Sequence, residues 1–395
     1  MPIRICLVTE NHAGARMGGA EYQTELLAAE LCRRPDVQVT YLARHVPEPA
    51  DAANYPYAIR SIGNDAGIRR RAVFFDALEL RRALSELQPD VVYQQGKQSY
   101  TGVCAGYARA AGIPFFFHVA HDFDLNFRWI TTRFSPNTPF DIVECIVGDW
   151  GIRRASHVIA QSTRQAELLK RRFGLSPSLI VRNFQPLPDS LPAKPAGPMQ
   201  VLWVANLKDF KRPALFVDLA ESFVGRDDIR FVMAGRPATQ RRFRPMMDKI
   251  PTLPNLAFLG EVPLERVNEL MAESTVHVNT SSHEGFPNTF LQAWARGAVV
   301  ASLSVDPDVE GMEAQGIGYC AGSFARLREI IDRLARDPAL RAATAQRAFA
   351  FVHRMHGLDH GARLADHLLQ AALEHKARAP HEAPGAKPVP VRTGP

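Results

Sequence analysis

Short, nearly continuous apolar runs alternate along this chain with longer stretches whose apolar residues recur every three or four positions. Ile3–Thr9, Val37–Ala43, Asp90–Gln94, Pro114–Val119, Ser156–Ala160 and Leu179–Arg182 are runs of the first kind. They have the pattern of strands buried on both faces of a parallel sheet. Ala20–Leu31, Ala77–Leu87, Tyr100–Ala111 and Ser162–Phe173 have helical spacing. The alternation predicts a doubly wound α/β domain over residues 1–184. Residues 185–199 then hold Pro186, Pro188, Pro192, Pro195 and Pro198, the composition of a stiff linker. The alternation resumes with strands at Val201–Val204, Ile229–Ala234, Leu256–Gly260, Thr275–Val278 and Ala298–Leu303, and with helices at Leu264–Ala272, Phe324–Ala335 and Ala339–Val352. It predicts a second such domain over residues 200–352. A terminal helix is expected over Leu358–Leu373, within residues 353–375. Residues 376–395 are rich in Pro, Ala, Gly and charge and are expected to be disordered.

Between the strands at Thr275 and Ala298 the pattern breaks so that polar groups converge. Gly285 and Pro287 force a tight turn, and Asn288 is placed to N-cap a helix in which Phe290, Leu291 and Trp294 recur at helical spacing. Gly297 ends that helix as a C′ glycine. A strand, a glycine-bearing turn and a helix N-terminus make an anion site, because unpaired N–H groups and the helix dipole point at one spot. Glu284 stands at the lip of the turn, and Gln292 lies one turn deeper than Asn288 on the same side. The arrangement suits a diphosphate at the turn with hydroxyl-rich groups on either side.

The stretch from Asn279 to Gly297 resembles the signature of retaining GT-B glycosyltransferases of family 4, a Glu-x7-Glu motif after a Ser-rich strand end, and the likeness runs from Ile3 to about Val352. The resemblance implies two Rossmann-like doubly wound parallel-sheet domains facing across a cleft. It implies a sugar moved from a nucleoside-diphosphate sugar to a hydroxyl of a saccharide or lipid-linked saccharide, with retention, and with no metal or other cofactor. Glu284 then lies near the donor sugar, and the turn of Gly285 and Phe286 with the amides of Asn288 and Thr289 holds the diphosphate. Gln292 stands where a second Glu would bond the ribose; an amide still donates and accepts, but carries no charge. Lys211 matches a lysine that neutralises the leaving diphosphate. Asn206 stands where an arginine is expected, with Lys208 or Arg212 as compensating cations. The loop of Gly18 and Gly19 matches one that approaches the donor phosphates across the cleft, and the backbone from Gly260 to Val262 matches a turn that contacts the base. The histidine that lines the cleft is His121, with His118 as the alternative. The terminal helix is the one that crosses back to the first domain.

Other chemistry is less well supported. The loop after the first strand is not Gly-x-Gly-x-x-Gly, and Ala43, Arg44 and His45 end the second strand where a dinucleotide ribose needs an acid, so hydride transfer is disfavoured. Asp122 and Asp124 form an Asp-x-Asp that a metal-dependent GT-A transferase would use, and Asp306 with Asp308 offers a second. The changes at Asn206 and Gln292 leave room for a non-catalytic sugar-nucleotide-binding or scaffold subunit. Residues 123–148 mix Phe127, Trp129, Phe134 and Phe140 with arginines and prolines, as an acceptor-gripping insertion or an ordinary packed loop would. His353, His356 and His360 read as a surface helix rather than a zinc site.

Composition sets the compartment and the partners. With 395 residues, 46% of them hydrophobic, the chain can bury two large cores. It contains no apolar run of ~18 residues, and a strand opens the chain where a leader would stand. Cys6, Cys32, Cys104, Cys145 and Cys320 show no Cys-x-x-Cys, which fits reduced thiols in a cytoplasmic protein. The net charge of +6 is clustered at Arg69–Arg71, Arg81–Arg82, Arg153–Arg154 and Lys170–Arg172. Each cluster alone reads as a solvated helix face; together they suit peripheral contact with an anionic membrane or a phosphate-bearing acceptor. No nucleic-acid module accompanies them. The family resemblance implies a role in bacterial surface polysaccharide or lipopolysaccharide assembly, with which the basic first domain is compatible.

Overall fold

The computed structural model describes residues 2–64, 66–126, 138–237, 241–307 and 311–378. In the first domain the strands are β1 (Ile3–Val8), β2 (Val37–Ala43), β3 (Ala58–Ser61), β4 (Val91–Gln95), β5 (Phe115–His118), β6 (His157–Ala160) and β7 (Leu179–Ile180). They form one sheet in the order β3-β2-β1-β4-β5-β6-β7, every pair parallel. The helices between them are α1 (Gly19–Cys32), α2 (Pro49–Ala52), α3 (Ala77–Leu87), α4 (Ser99–Ala111), α5 (Thr138–Ile152) and α6 (Thr163–Phe173). One face of the sheet packs under Leu27, Ala28 and Leu31 of α1. The other packs under Leu80 and Leu84 of α3, Tyr100 and Cys104 of α4, and Leu169 of α6.

The second domain has β8 (Met199–Val204), β9 (Ile229–Ala234), β10 (Leu256–Phe258), β11 (Val276–Asn279), β12 (Val299–Ser302) and β13 (Gly318–Cys320) in the order β10-β9-β8-β11-β12-β13, again all parallel. Its helices are α7 (Pro213–Glu221), α8 (Arg244–Lys249), α9 (Leu264–Glu273), α10 (Asn288–Ala295), α11 (Phe324–Arg336) and α12 (Pro338–Met355). Both sheets are doubly wound, and in each the strand order reverses beside the first strand, at β1/β4 and at β8/β11. Ligand sites of such sheets lie at the carboxyl ends of the strands, at these switch points.

After α12 the chain turns at Gly357 into α13 (Asp359–Arg378). Its Leu364, Ala365 and Leu368 are fully buried in the core of the first domain beside Leu27 and Leu31. The chain therefore crosses between domains twice, and the crossings touch: Gln185 N–H donates to His356 O at 3.1 Å, and His356 Nδ1 donates to Asn183 O at 2.6 Å. His356 is wholly buried against Phe286 and Phe351, so the expected surface histidine is a core residue where the two crossings meet.

A second correction concerns residues 123–148. From Thr138 onward they form helix α5, packed on α4 where glycines let the backbones meet. A Cβ at Gly102 would lie 2.7 Å from Val147 O, and one at Gly151 would lie 2.5 Å from Thr101 O. Phe140 packs on Phe74 and Phe75. Phe127, Trp129 and Phe134 lie outside the described residues, as do Asp308 and residues 379–395 of the expected tail.

Candidate functional site

The loops after β1, β8, β9, β10 and β11 enclose a cavity of about 360 Å³ between the domains. Gly18 and Gly19 line it from the first domain. Asn206, Lys208, Lys211, Val262, Glu284, Asn288, Thr289 and Gln292 line it from the second. Residues far apart in sequence thus meet at both switch points. The amides of Asn288 and Thr289 lie in the first turn of α10, where no intrahelical carbonyl can pair with them.

Glu284 Oε1 accepts from Ser281 Oγ at 2.6 Å and forms an ion pair with Lys211 Nζ. Lys211 also sits over the Phe210 ring, 5.1 Å from its centre. Both charged side chains are largely shielded, at 10% and 20% exposure, yet both border the cavity. Of the two compensating cations, Lys208 lines the cavity. Arg212 does not: its guanidinium donates to Thr280 O, Ser281 O and Ser304 Oγ, bracing the loop after β11.

Asn288 departs from the expected role. Pro287, not Asn288, occupies the N-cap, and no side chain caps α10. Asn288 Nδ2 donates to Gly19 O at 3.1 Å, while its Oδ1 accepts from Gln23 Nε2 and Asn183 Nδ2, each at 3.1 Å. The side chain joins the two domains. Gln292 is buried and lines the cavity, with Nε2 3.5 Å from Asn268 Oδ1. Gly260 does not line it; its carbonyl accepts from Gly235 N at 2.7 Å, which ties two strand ends together.

Gly285 and Phe286 border a second, smaller cavity of about 210 Å³, which Glu284 also borders. Gly285 passes close to the first domain, where a Cβ would stand 3.0 Å from Ala120 O. Phe286 is 8% exposed and packs on His356 and Trp294, so it anchors the turn rather than facing the first cavity.

The two histidines separate cleanly. His118 ends β5 with its side chain in the core, 2% exposed, its Nδ1 2.6 Å from Tyr93 Oη, and burial pushes its pKa down to about 3. His121 lines the second cavity, stacked on Phe123 and near His283. Its Nδ1 accepts from Phe123 N at 3.1 Å, which leaves the proton of the neutral ring on Nε2. Burial, the largest influence, holds its pKa below the usual histidine range against the charges of Asp124, Asp122 and Glu284.

Gln161, Ser162 and Arg164, at the carboxyl end of β6, also line this cavity and were not expected. Like His121 after β5, they follow the carboxyl end of a strand, where the ligand sites of such sheets lie. Phe210 and His283, stacked 5.0 Å apart beside Glu284, were missed because neither has a periodic signal.

The carboxylates proposed for a metal serve the protein instead. Asp124 Oδ2 accepts from Ala120 N and His121 N at 2.8 and 3.1 Å, and Asp122 pairs with Arg164 at 3.1 Å and accepts from Gln165. Both oxygens of Asp306 accept from Met312 N. Among the described residues no group of His, Cys, Asp and Glu is arranged to hold a metal ion.

Residues 17–182 match the model for Glycosyltransferase Family 4, and residues 191–351 match that for Glycosyl transferases group 1. No curated protein matches the sequence. Among solved structures, the chain is similar to HepE from Anabaena in complex with UDP-glucose, at 16% identity over 93% of this chain and all of that one, with a TM-score of 0.72. It is similar to sucrose-phosphate synthase from Thermosynechococcus elongatus, at 15% identity over 94% and 99% of the two chains, with a TM-score of 0.75. It is also similar to WaaG, a glycosyltransferase involved in lipopolysaccharide biosynthesis, at 13% identity over 92% and 99%, with a TM-score of 0.72. At such identities the likeness establishes the architecture, two Rossmann-like domains of GT-B type. That architecture overturns the GT-A alternative.

Proposed function

The chain belongs to the GT-B glycosyltransferases of family 4, and from that premise we propose that it moves a sugar from a nucleoside-diphosphate sugar to a hydroxyl of a saccharide or lipid-linked saccharide, with retention of configuration and without a metal. One observation carries the reading: Lys211, Glu284 and the open first turn of α10 surround a single interdomain cavity that the Gly18–Gly19 loop closes from the other side. The diphosphate takes the α10 amides and the Lys211 ammonium, fixed charges and dipoles that need no reorganisation as the leaving group departs. Lys208 supplies a second cation where Asn206 has none. Binding a diphosphate draws Lys211 from Glu284, and the carboxylate is then available to positive charge developing on the sugar. The second cavity, which shares Glu284, is the place for the acceptor, with His121 and Gln161 near its hydroxyls. The UDP-glucose held by HepE and the lipopolysaccharide role of WaaG support a nucleotide-sugar donor and a surface-glycan acceptor for this chain too. Five unpaired cysteines support a reducing, cytoplasmic setting. Among the described residues no helix is long and apolar enough to cross a membrane.

The test is a thermal-shift and calorimetric screen of UDP, GDP, ADP, TDP and CMP in EDTA, on wild type and Lys211→Ala. One nucleoside diphosphate should stabilise the wild type and bind the variant at least tenfold more weakly. Transfer from the matching nucleotide sugar, with the product anomer read by NMR, then tests retention. No binding without metal, or equal binding by the variant, would overturn the reading. Binding without transfer to any acceptor would favour the non-catalytic subunit.

A further inference from the structure

Helix α5 is a third layer on the first domain. Its inner side lies on α4 through the glycine contacts, and Asp149 on that side pairs with Lys97 at 3.1 Å and with Arg172. Glu144 also turns inward and accepts from Phe74 N and Ser99 N at 2.9 and 2.6 Å. The outer side is apolar. Val143, Ile146 and Trp150, at the spacing of one helical face, are 39%, 61% and 41% exposed. A helix that packs once normally shows water a polar face; this one shows water three large hydrophobic side chains. Asp141, its one exposed acid, is about half a turn away from them on the wheel.

Arginines border this stripe. Arg153 and Arg154 follow the helix, both exposed, and the Arg154 guanidinium lies over the Trp150 ring at 4.2 Å. Near the other end Arg71 lies 5.8 Å from the Phe140 ring. Two other members of the basic clusters are paired within the protein, Arg69 with Glu79 and Arg172 with Asp149.

We propose that the outer face of α5 docks the protein on an anionic lipid surface, with Val143, Ile146 and Trp150 entering the interface and Arg153 and Arg154 meeting lipid phosphates. An apolar stripe edged by arginines, with a tryptophan among them, matches the layering of a bilayer interface. A second copy of this chain fits less well, because three side chains fall far short of the about 800 Å² that each partner of a stable dimer buries. The docked helix is also linked to the second cavity, since Lys97 Nζ, paired with Asp149, donates to Asn126 O at 3.3 Å and Asn126 lines that cavity. Docking would therefore hold the acceptor side of the cleft near the lipid headgroups. This deepens the lipid-linked acceptor reading but does not require it, since docking is measured without catalysis.

The test is co-sedimentation of the full chain with phosphatidylcholine vesicles, with and without phosphatidylglycerol. Wild type should bind the anionic vesicles, and binding should fall as salt rises. Ile146→Asp, and separately Arg153→Glu with Arg154→Glu, should each bind at least tenfold more weakly, with unchanged melting temperature and unchanged nucleoside-diphosphate affinity. Failure of wild type to bind anionic vesicles, or equal binding by Ile146→Asp, would overturn the proposal. So would a wild type that sediments as a dimer without lipid and becomes monomeric as Ile146→Asp, which would make α5 a contact between copies. A chain that docks but binds no nucleoside diphosphate would leave the docking intact and count against the donor site alone.

Discussion

Asn288 Nδ2 donates to Gly19 O across the cleft at 3.1 Å, joining the first turn of α10 to the glycine loop of the other domain. The same side chain accepts from Gln23 and Asn183, so one residue in the first turn of α10 holds two segments of the first domain, the start of α1 and the chain after β7.

Asn288→Ala removes all three bonds and should destabilise the protein by about 2–3 kcal/mol, at roughly 1 kcal/mol per bond. Asn288→Asp keeps the acceptor for Gln23 and Asn183 but sets a carboxylate against the Gly19 carbonyl. It should fall between alanine and wild type in stability, yet bind a nucleoside diphosphate more weakly than either, because it adds negative charge at the anion site. Urea denaturation and calorimetry of the two variants check this. Stabilities within ~0.5 kcal/mol of wild type for both would show that the clasp contributes nothing.

How much could be read in advance divides along physical lines. Parallel strands buried on both faces are continuous apolar runs, and so β1, β2 and β9 stand out in the sequence. Glycine and proline mark the turn before α10 for the same local reason, and Glu284 follows from its place at that turn; Lys211, by itself one lysine of a polar loop, is legible only through the family resemblance. Side-chain partners are another matter. Asn288 has the chemistry of a cap, but the other domain offers three partners within 3.1 Å, and no local rule counts those. His118 and His121 stand three residues apart, one inside the sheet and one beyond its end, and only the strand's termination separates them. Helix α5 does carry a stripe, because Ile142, Val143, Ile146, Val147 and Trp150 fall within about 140° of one another on the helical wheel. The stripe faces largely away from α4, and the prolines and arginines just upstream give the whole stretch the composition of a loop.

The Lys211–Glu284 pair gives a prediction with opposite signs for two observables. Glu284→Gln removes the anion that holds Lys211 and leaves the ammonium to a diphosphate. Nucleoside-diphosphate affinity should rise roughly fivefold, about 1 kcal/mol for a partly exposed pair. Transfer should fall by about 100-fold or more, the loss expected when a group facing developing charge is neutralised. A variant that binds the nucleotide as poorly as Lys211→Ala would show that Glu284 holds the lysine in place for the diphosphate rather than competing with it.

Buried histidines set the acid side of the stability profile. Burial pushes His118 down to about 3, and His12 and His277 to about 4, against about 6.5 in the unfolded chain. Below that pH the unfolded state takes up protons that the native state refuses, so stability falls as pH drops from about 6.5 toward 4. Glu10 and Glu21, raised chiefly by burial, act with the opposite sign, so the informative quantity is a difference. His118→Gln keeps a hydrogen-bonding partner for Tyr93 without titrating, and it should lose less stability than wild type between pH 7 and pH 5. Parallel curves for the two proteins over that range, from denaturant titrations, would exclude His118 as a contributor.

Lys194, in the linker, holds the far end of the same helix. Its ammonium donates to Ala272 O, Ser274 O and Arg296 O at 2.9, 2.6 and 2.7 Å, with Met271 O at 3.2 Å. These carbonyls close the C-terminal ends of α9 and α10, where a cation is favoured by both helix dipoles. Burial alone would draw the lysine down to about 7; the converging carbonyls favour the charged form. Lys194→Met keeps the aliphatic stem and removes the donor, leaving several buried carbonyls unpaired. The expected loss is about 2–4 kcal/mol, read as a lower urea midpoint. Lys194→Arg should not restore it, because a planar fork cannot converge on carbonyls arranged around one point. Nucleoside-diphosphate affinity should change less than twofold, since Asn288 still fixes the N-terminal turn of α10 that faces the cavity. A variant as stable as wild type would mean that water replaces the ammonium at these helix ends, and that the prolines alone define the linker.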